Sequence, residues 1–177
     1  MKNIFIFLTL IMVLFNGCSA TKVHTAYDRS FDMKVLKNFY VVQSNNRVSD
    51  PLTINRISGA LANELEKKGY KLTSQYEADF FVHYYVNAKN KSQLITDYSR
   101  VGSQPFRQTT MMIPTTKIYN YKEGKLVIEM VETKKNRAIF RASMRDQLKE
   151  LGSDTEKTIY INSVVEEILK EFPKTLF

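Results

Sequence analysis

Residues Ala78 to Ala88 constrain the fold more than any other stretch of the chain. Phe80, Val82, Tyr84 and Val86 alternate with Phe81, His83, Tyr85 and Asn87. A period of two puts the first set on one face of a strand and the second set on the other. The first reads as a core face. The second is aromatic but amphipathic, as expected of a sheet face that is partly wet or covered by a loop. Such a strand needs a layer to pack against, and two segments supply it. With Asp50 as cap and Pro51 at the first helical position, Ile54, Ile57, Leu61 and Leu65 recur at helical spacing. Lys67 and Lys68 suit the negative end of that helix, and Gly69 supplies its left-handed stop. Later, Ser153 and Glu156 form a capping box ahead of Ile161, Val165, Ile168 and Phe172, and Pro173 ends the helix.

The remaining segments fill in a sheet. Val23 to Tyr27 and Phe39 to Gln43 read as strands, with one helical turn between them, and Ser44 to Ser49 as a loop. Lys89 to Thr116 is polar, holds Gly102 and Pro105, and reads as a long loop, with Met111 to Ile113 as a point of re-entry into the sheet. Thr116 to Tyr121, Lys125 to Thr133 and Arg137 to Met144 then form a meander. Its turns are expected at Glu123-Gly124 and Lys134-Lys135-Asn136. Ala138, Phe140, Ala142 and Met144 are expected on the core side. This order predicts an α+β fold: an antiparallel-dominated sheet with two amphipathic helices packed on one face. The other face is left for solvent, the long loop or a partner.

The N-terminus carries a different signal. Lys2 precedes the apolar run from Ile4 to Phe15, which is shorter than the ~20 residues a membrane-spanning helix needs. It reads as a secretory signal. Leu14-Phe15-Asn16-Gly17-Cys18 resembles a bacterial lipobox, in which the chain is cut before a cysteine that carries diacylglycerol and further acyl chains such as palmitate. The expected organisation is a signal peptide over 1–17, a lipidated Cys18 with a short linker over 18–22, and one domain over 23–177. Ser19 stands where an aspartate would retain the protein in the inner membrane. The expected location is therefore the outer membrane, facing the periplasm. Cys18 is the only cysteine, which excludes an internal disulfide framework and any cysteine-rich zinc module.

Lysine and arginine total 26 against 18 acids, a net charge of +8. Export argues against nucleic acid as the counter-charge, leaving anionic lipid, acidic envelope polymers, or solubility alone. Lys134, Lys135, Arg137, Arg141 and Arg145 on the last hairpin form the densest basic cluster, and so the candidate patch for an anionic membrane surface. The same cluster would also serve simply to blunt a sheet edge.

Catalytic patterns are missing from the sequence. His24 and His83 are the only histidines, and neither stands in a hydrolase or metalloprotease frame. Glu129 and Glu132, three apart on one strand, point to opposite faces. Asp79 is expected in a turn or capping role. Gly59 and Gly102 are isolated, so no phosphate-cradling loop is formed. A non-enzymatic protein with no cofactor and no metal is expected.

Five stretches, in order, resemble a bacterial lipoprotein family known as a domain of unknown function. They are Thr21 to Asp28 just after the cysteine, Arg56-Ile57 leading to Glu66 through Tyr70, Ala78 to Tyr85, Glu123 to Ile128, and Val164-Val165 leading to Phe172-Pro173. The chain departs from that pattern at Val41 and Phe140, where tryptophan is frequent, and at Ala142, where glycine is. The resemblance implies an envelope lipoprotein with a small α+β domain and no catalytic residues to carry over. The expected function is a membrane-anchored periplasmic lipoprotein acting by binding or assembly, with the lipid on Cys18 as its membrane contact and an envelope protein as partner. The alternative is a carrier or sensor of a small apolar ligand on the aromatic second sheet face.

Overall fold

A computed structural model describes residues 23–42, 50–101 and 111–175. The signal segment, Cys18, the linker and the loop after Gln43 lie outside the described residues. The elements are β1 (Val23–Tyr27), a 3-10 turn (Met33–Val35), β2 (Asn38–Val42), α1 (Pro51–Lys67), β3 (Lys71–Leu72), β4 (Phe80–Val101), β5 (Met111–Glu132), β6 (Arg137–Gln147) and α2 (Asp154–Leu169). The six strands make one sheet in the order β1-β6-β5-β4-β2-β3. β1, β6, β5 and β4 are mutually antiparallel, whereas β2 runs parallel to both β3 and β4. The parallel β2–β4 pair is made possible by α1, which crosses over between them.

Both helices cover one face, as their stripes require. Asp50 accepts from Leu52 N–H at the start of α1, and Gly69 adopts a φ of 93° just past its end. Ser153 and Glu156 form the reciprocal capping box of α2. Ile57, Ala60, Leu61 and Leu65 of α1 and Val165, Ile168 and Leu169 of α2 pack on Phe80, Val82, Tyr84, Ile128 and Met130. Tyr84 is fully buried, and its hydroxyl donates to the Ile54 carbonyl at 3.2 Å and meets Ser58 Oγ at 2.8 Å. Phe172, just beyond α2, lies among Tyr70, Phe80 and Phe140 at ring distances of 5.0–6.0 Å. The loop carrying it is pinned to the end of α1: Lys68 Nζ donates to the Phe172 carbonyl and Tyr70 Oη to that of Pro173.

Three expectations are corrected. The long polar segment is not a loop through residue 116: β4 continues unbroken to Val101 and β5 begins at Met111, pairing in register from Val101↔Met111 to Phe80↔Glu132. Glu123-Gly124 is not a turn but lies within β5, paired with Lys89 and Ala88. Leu148 lies across it: an added Cβ would stand 2.6 Å from Leu148 Cδ2, so any larger residue makes that side chain shift. Finally, the β5–β6 register shifts between Met130 and Val131. Ile139 thereby turns into the core beside Phe140, and Ala138 is exposed. One extra residue in a strand does this without breaking the sheet.

Candidate functional site: the ribbon, its root and the basic cluster

β6 pairs with β5 only from Glu132 to Glu123. Beyond Glu123 and Lys89 the two long strands pair with each other out to Val101 and Met111, joined at the root by Leu148 N–H to the Lys122 carbonyl at 2.8 Å and Gln147 Nε2 to the Tyr119 hydroxyl at 3.0 Å. Among the described residues, no layer covers either face of this two-stranded ribbon. Its apolar side chains are consequently uncovered: Leu94 is 69% exposed, Ile118 68% and Tyr98 68%. Register and alternation set these on one side of the ribbon, with Leu94 opposite Ile118 and Tyr98 opposite Pro114. The other side carries Lys91, Gln93, Asp97 and Lys117 together with Ile95, Ile113 and Tyr119, which are less exposed, at 41–47%. Ser92–Asn120 and Thr96–Thr116 side-chain hydrogen bonds tie the two strands. Pro114 is tolerated because both strands of the ribbon are edges there.

At the root of the ribbon, on the helix side of the sheet, a cleft of about 880 Å³ opens. Val86, Leu126, Met144, Leu148, Ile161 and Val164 supply its apolar wall. Lys122, Lys125, Lys149 and Lys157 also line it, and only Lys157 has a carboxylate within bridging distance among the described residues, Asp154 at 3.7 Å. Asp146, the acid of the cleft, accepts from the Tyr160 hydroxyl at 2.9 Å. Burial, followed by that carboxylate, pushes the Tyr160 phenol well above its ordinary range, so it stays a neutral donor. This cleft lies on the helix side of the sheet. The second sheet face is flat, with Tyr40 against Phe81 and Phe81 against His83 in edge contacts.

The basic cluster does not converge on one surface. Lys134 and Lys135 sit on the β5–β6 turn, where Glu132 accepts from both of their backbone N–H groups at 2.9 Å. Arg137 pairs with Asp28 and donates to Ser30 Oγ. The Ser30 hydroxyl and N–H, and after them Arg137, hold the Asp28 carboxyl below its ordinary range. Arg141 stands 4.0 Å from Glu129 on the second face, and Arg145 is exposed on the same side. The turn and Val23 stand at opposite ends of the sheet. Val23 pairs with Met144, which pairs with Leu126. Val23, the first described residue, therefore lies near the ribbon's root, whereas Lys134 and Lys135 stand at the opposite end of the sheet.

Other residues singled out in the sequence have structural partners. Asp79 accepts from the N–H groups of Lys37 and Asn38 at 2.9 and 2.8 Å, the turn role expected of it. His83 is half-buried against Phe81, and His24 is exposed on the edge strand β1. Among the described residues, no three His, Cys, Asp or Glu side chains are grouped as a metal site would need. No helix among them is long and apolar enough to cross a membrane. The ribbon itself escaped sequence reasoning. Its one signal is the pairing of Leu94, Thr96 and Tyr98 with Ile118, Thr116 and Pro114, which only emerges once a register is known.

An open α+β sheet with two helices on one face and a protruding ribbon is the class this chain represents. The chain belongs to the DUF4136 family, a domain of unknown function, whose model matches residues 23–174. No curated protein matches it. Among solved structures it is similar to a PDZ domain protein from Parabacteroides distasonis, at 13% identity and a TM-score of 0.58 over 88% of this chain. It spans 36% of that protein's length. It is also similar to a PelC variant, crystallised as a dodecamer, from Paraburkholderia phytofirmans, at 10% identity and a TM-score of 0.55, covering 88% of this chain and 98% of that one. At such identities the likeness is one of fold alone.

Proposed function

We propose that this chain is a lipoprotein of a bacterial cell envelope, anchored through lipid on Cys18 and acting by binding or assembly without catalysis. The observation that carries this reading is the placement of the uncovered ribbon and its basic-lined cleft at the pole where the chain arrives from Cys18. A surface without titratable groups set for chemistry, but with exposed apolar side chains and unpaired lysines, suits contact with another surface. Ser19 after the cysteine assigns the outer membrane, facing the periplasm. The PelC chains of similar fold were crystallised as dodecamers, and further copies of this chain are one form the assembly takes in this reading. Cys18→Ser should abolish labelling by a clickable fatty acid and release the protein from the outer-membrane fraction; undiminished labelling would refute the anchor. Crosslinking in intact cells should capture an envelope protein or a further copy.

A second reading rests on the cleft. Its apolar wall and lysines suit an amphiphile with an acidic head, so the carrier role moves from the second sheet face to the helix side. A native mass spectrum of protein taken from membranes should then show a bound species of low mass that Leu126→Lys removes.

A further inference from the structure

We propose that the ribbon of residues 89–101 and 111–122 is a membrane-contact arm that lies on the anionic lipid surface to which Cys18 is anchored. The proposal rests on the anchor reading and adds to it a second, non-covalent contact. Cys18 stands five positions before Val23, so the tether reaches at most ~17 Å. Val23 lies beside Met144, and β6 runs from there to Arg137 at the far pole, about 23 Å away at the usual rise of a strand. The tether is shorter than that, so the far pole cannot turn to the lipid. The ribbon leaves the tethered pole and, at twelve residue steps beyond Lys89 and Glu123, extends ~40 Å. A ribbon that starts at the tethered end and is more than twice the length of the tether cannot point straight at the surface, and meets it by lying along it.

Its chemistry suits that position. One side presents Leu94, Tyr98, Met112 and Ile118, all more than half exposed. Lys122 stands on the same side, while Lys89, Lys91 and Lys117 stand on the other with Asp97, the one acid of residues 89–101 and 111–122. Apolar side chains immersed at the headgroup level, with cations beside them, is the composition of an interfacial element, and tyrosine is favoured at that depth. The two open edges exclude insertion across the hydrocarbon, where unpaired backbone groups find no partner. The arm therefore lies in the interface.

Full-length acylated protein tests this. Cysteine is introduced singly at Leu94, Ile118, Gln93 or Lys135, and the new thiol carries a polarity-sensitive dye, since lipidated Cys18 offers none. Each variant is reconstituted through its anchor into vesicles of phosphatidylethanolamine and phosphatidylglycerol, with or without lipids bearing a quencher. The dye should shift to the blue and lose most of its emission to the quencher at Leu94→Cys and Ile118→Cys. It should stay aqueous at Gln93→Cys, on the other side of the strand, and at Lys135→Cys, at the far pole. Acylated protein whose dyes at 94 and 118 behave like that at 135 would overturn the arm and leave the anchor standing. Dyes shielded from water but untouched by the quencher, with copies crosslinking through the ribbon, would overturn it in favour of a second copy. Protein found unacylated at Cys18 would remove the anchor reading and the arm with it.

Discussion

Asp28, Ser30 and Arg137 join the end of β1 to the start of β6, and their coupling can be titrated. The Ser30 hydrogen bonds are the largest influence holding the Asp28 carboxyl below its ordinary value of 3.8, with Arg137 after them. A carboxylate with a lowered folded pKa contributes stability that is present above the unfolded value and is lost as pH falls through the folded one. Ser30→Ala should raise the Asp28 pKa toward 3.8, followed by NMR. It should cost stability at neutral pH, with the difference from the parent shrinking in acid. Glu132 is a second case: it is buried, and both its oxygens serve the turn N–H groups of Lys134 and Lys135. Glu132→Ala leaves those donors without their acceptor and should cost about 1–3 kcal/mol in urea unfolding. The left-handed Asn136, φ 50°, completes that turn; an asparagine in a polar hairpin tip advertises this conformation in the sequence itself.

The helices and the core half of β4 were the legible elements, because each has one face in water and one in the core. Leu61 and Ile168 are fully buried. Replacing either by alanine should cost roughly 2–5 kcal/mol, whereas Lys170→Ala, on an exposed position, should change stability by less than about 0.5 kcal/mol. Equal melting of the two kinds of variant would contradict the packing. The same logic explains what was not legible. From Lys89 to Ser99 and from Met112 to Asn120 no face is buried, so hydrophobic periodicity, the signal that marks other strands, has no cause to be strong. Gly124 misled for a related reason. A glycine after Glu123 resembles a turn, but here it makes room for Leu148, a contact between segments that no local pattern encodes. The cleft was invisible likewise, since Val86, Leu126 and Ile161 come from three separate elements.

At the scale of the whole molecule, the ribbon and the domain are energetically distinct. Isolated two-stranded hairpins are marginal in water, and none of the ribbon's side chains between Asn90 and Ser99 or Met112 and Asn120 is buried. Joining Asn90 to Lys122 by a short Asn-Gly turn should leave the domain's unfolding free energy in urea within about 0.5 kcal/mol of the parent, while removing the vesicle contact. The unbroken register from Phe80↔Glu132 to Val101↔Met111 also carries a consequence for how this family can diversify. Residues added or removed in equal number on both strands slide the tip outward or inward and leave every pair below them intact. An unmatched insertion of one residue in a single strand would invert the sides of everything beyond it on that strand, sending Leu94 or Ile118 to the opposite side. Ribbon length should therefore vary among relatives in matched steps, one residue per strand, while the sequence around Tyr84 and Phe172 keeps its spacing.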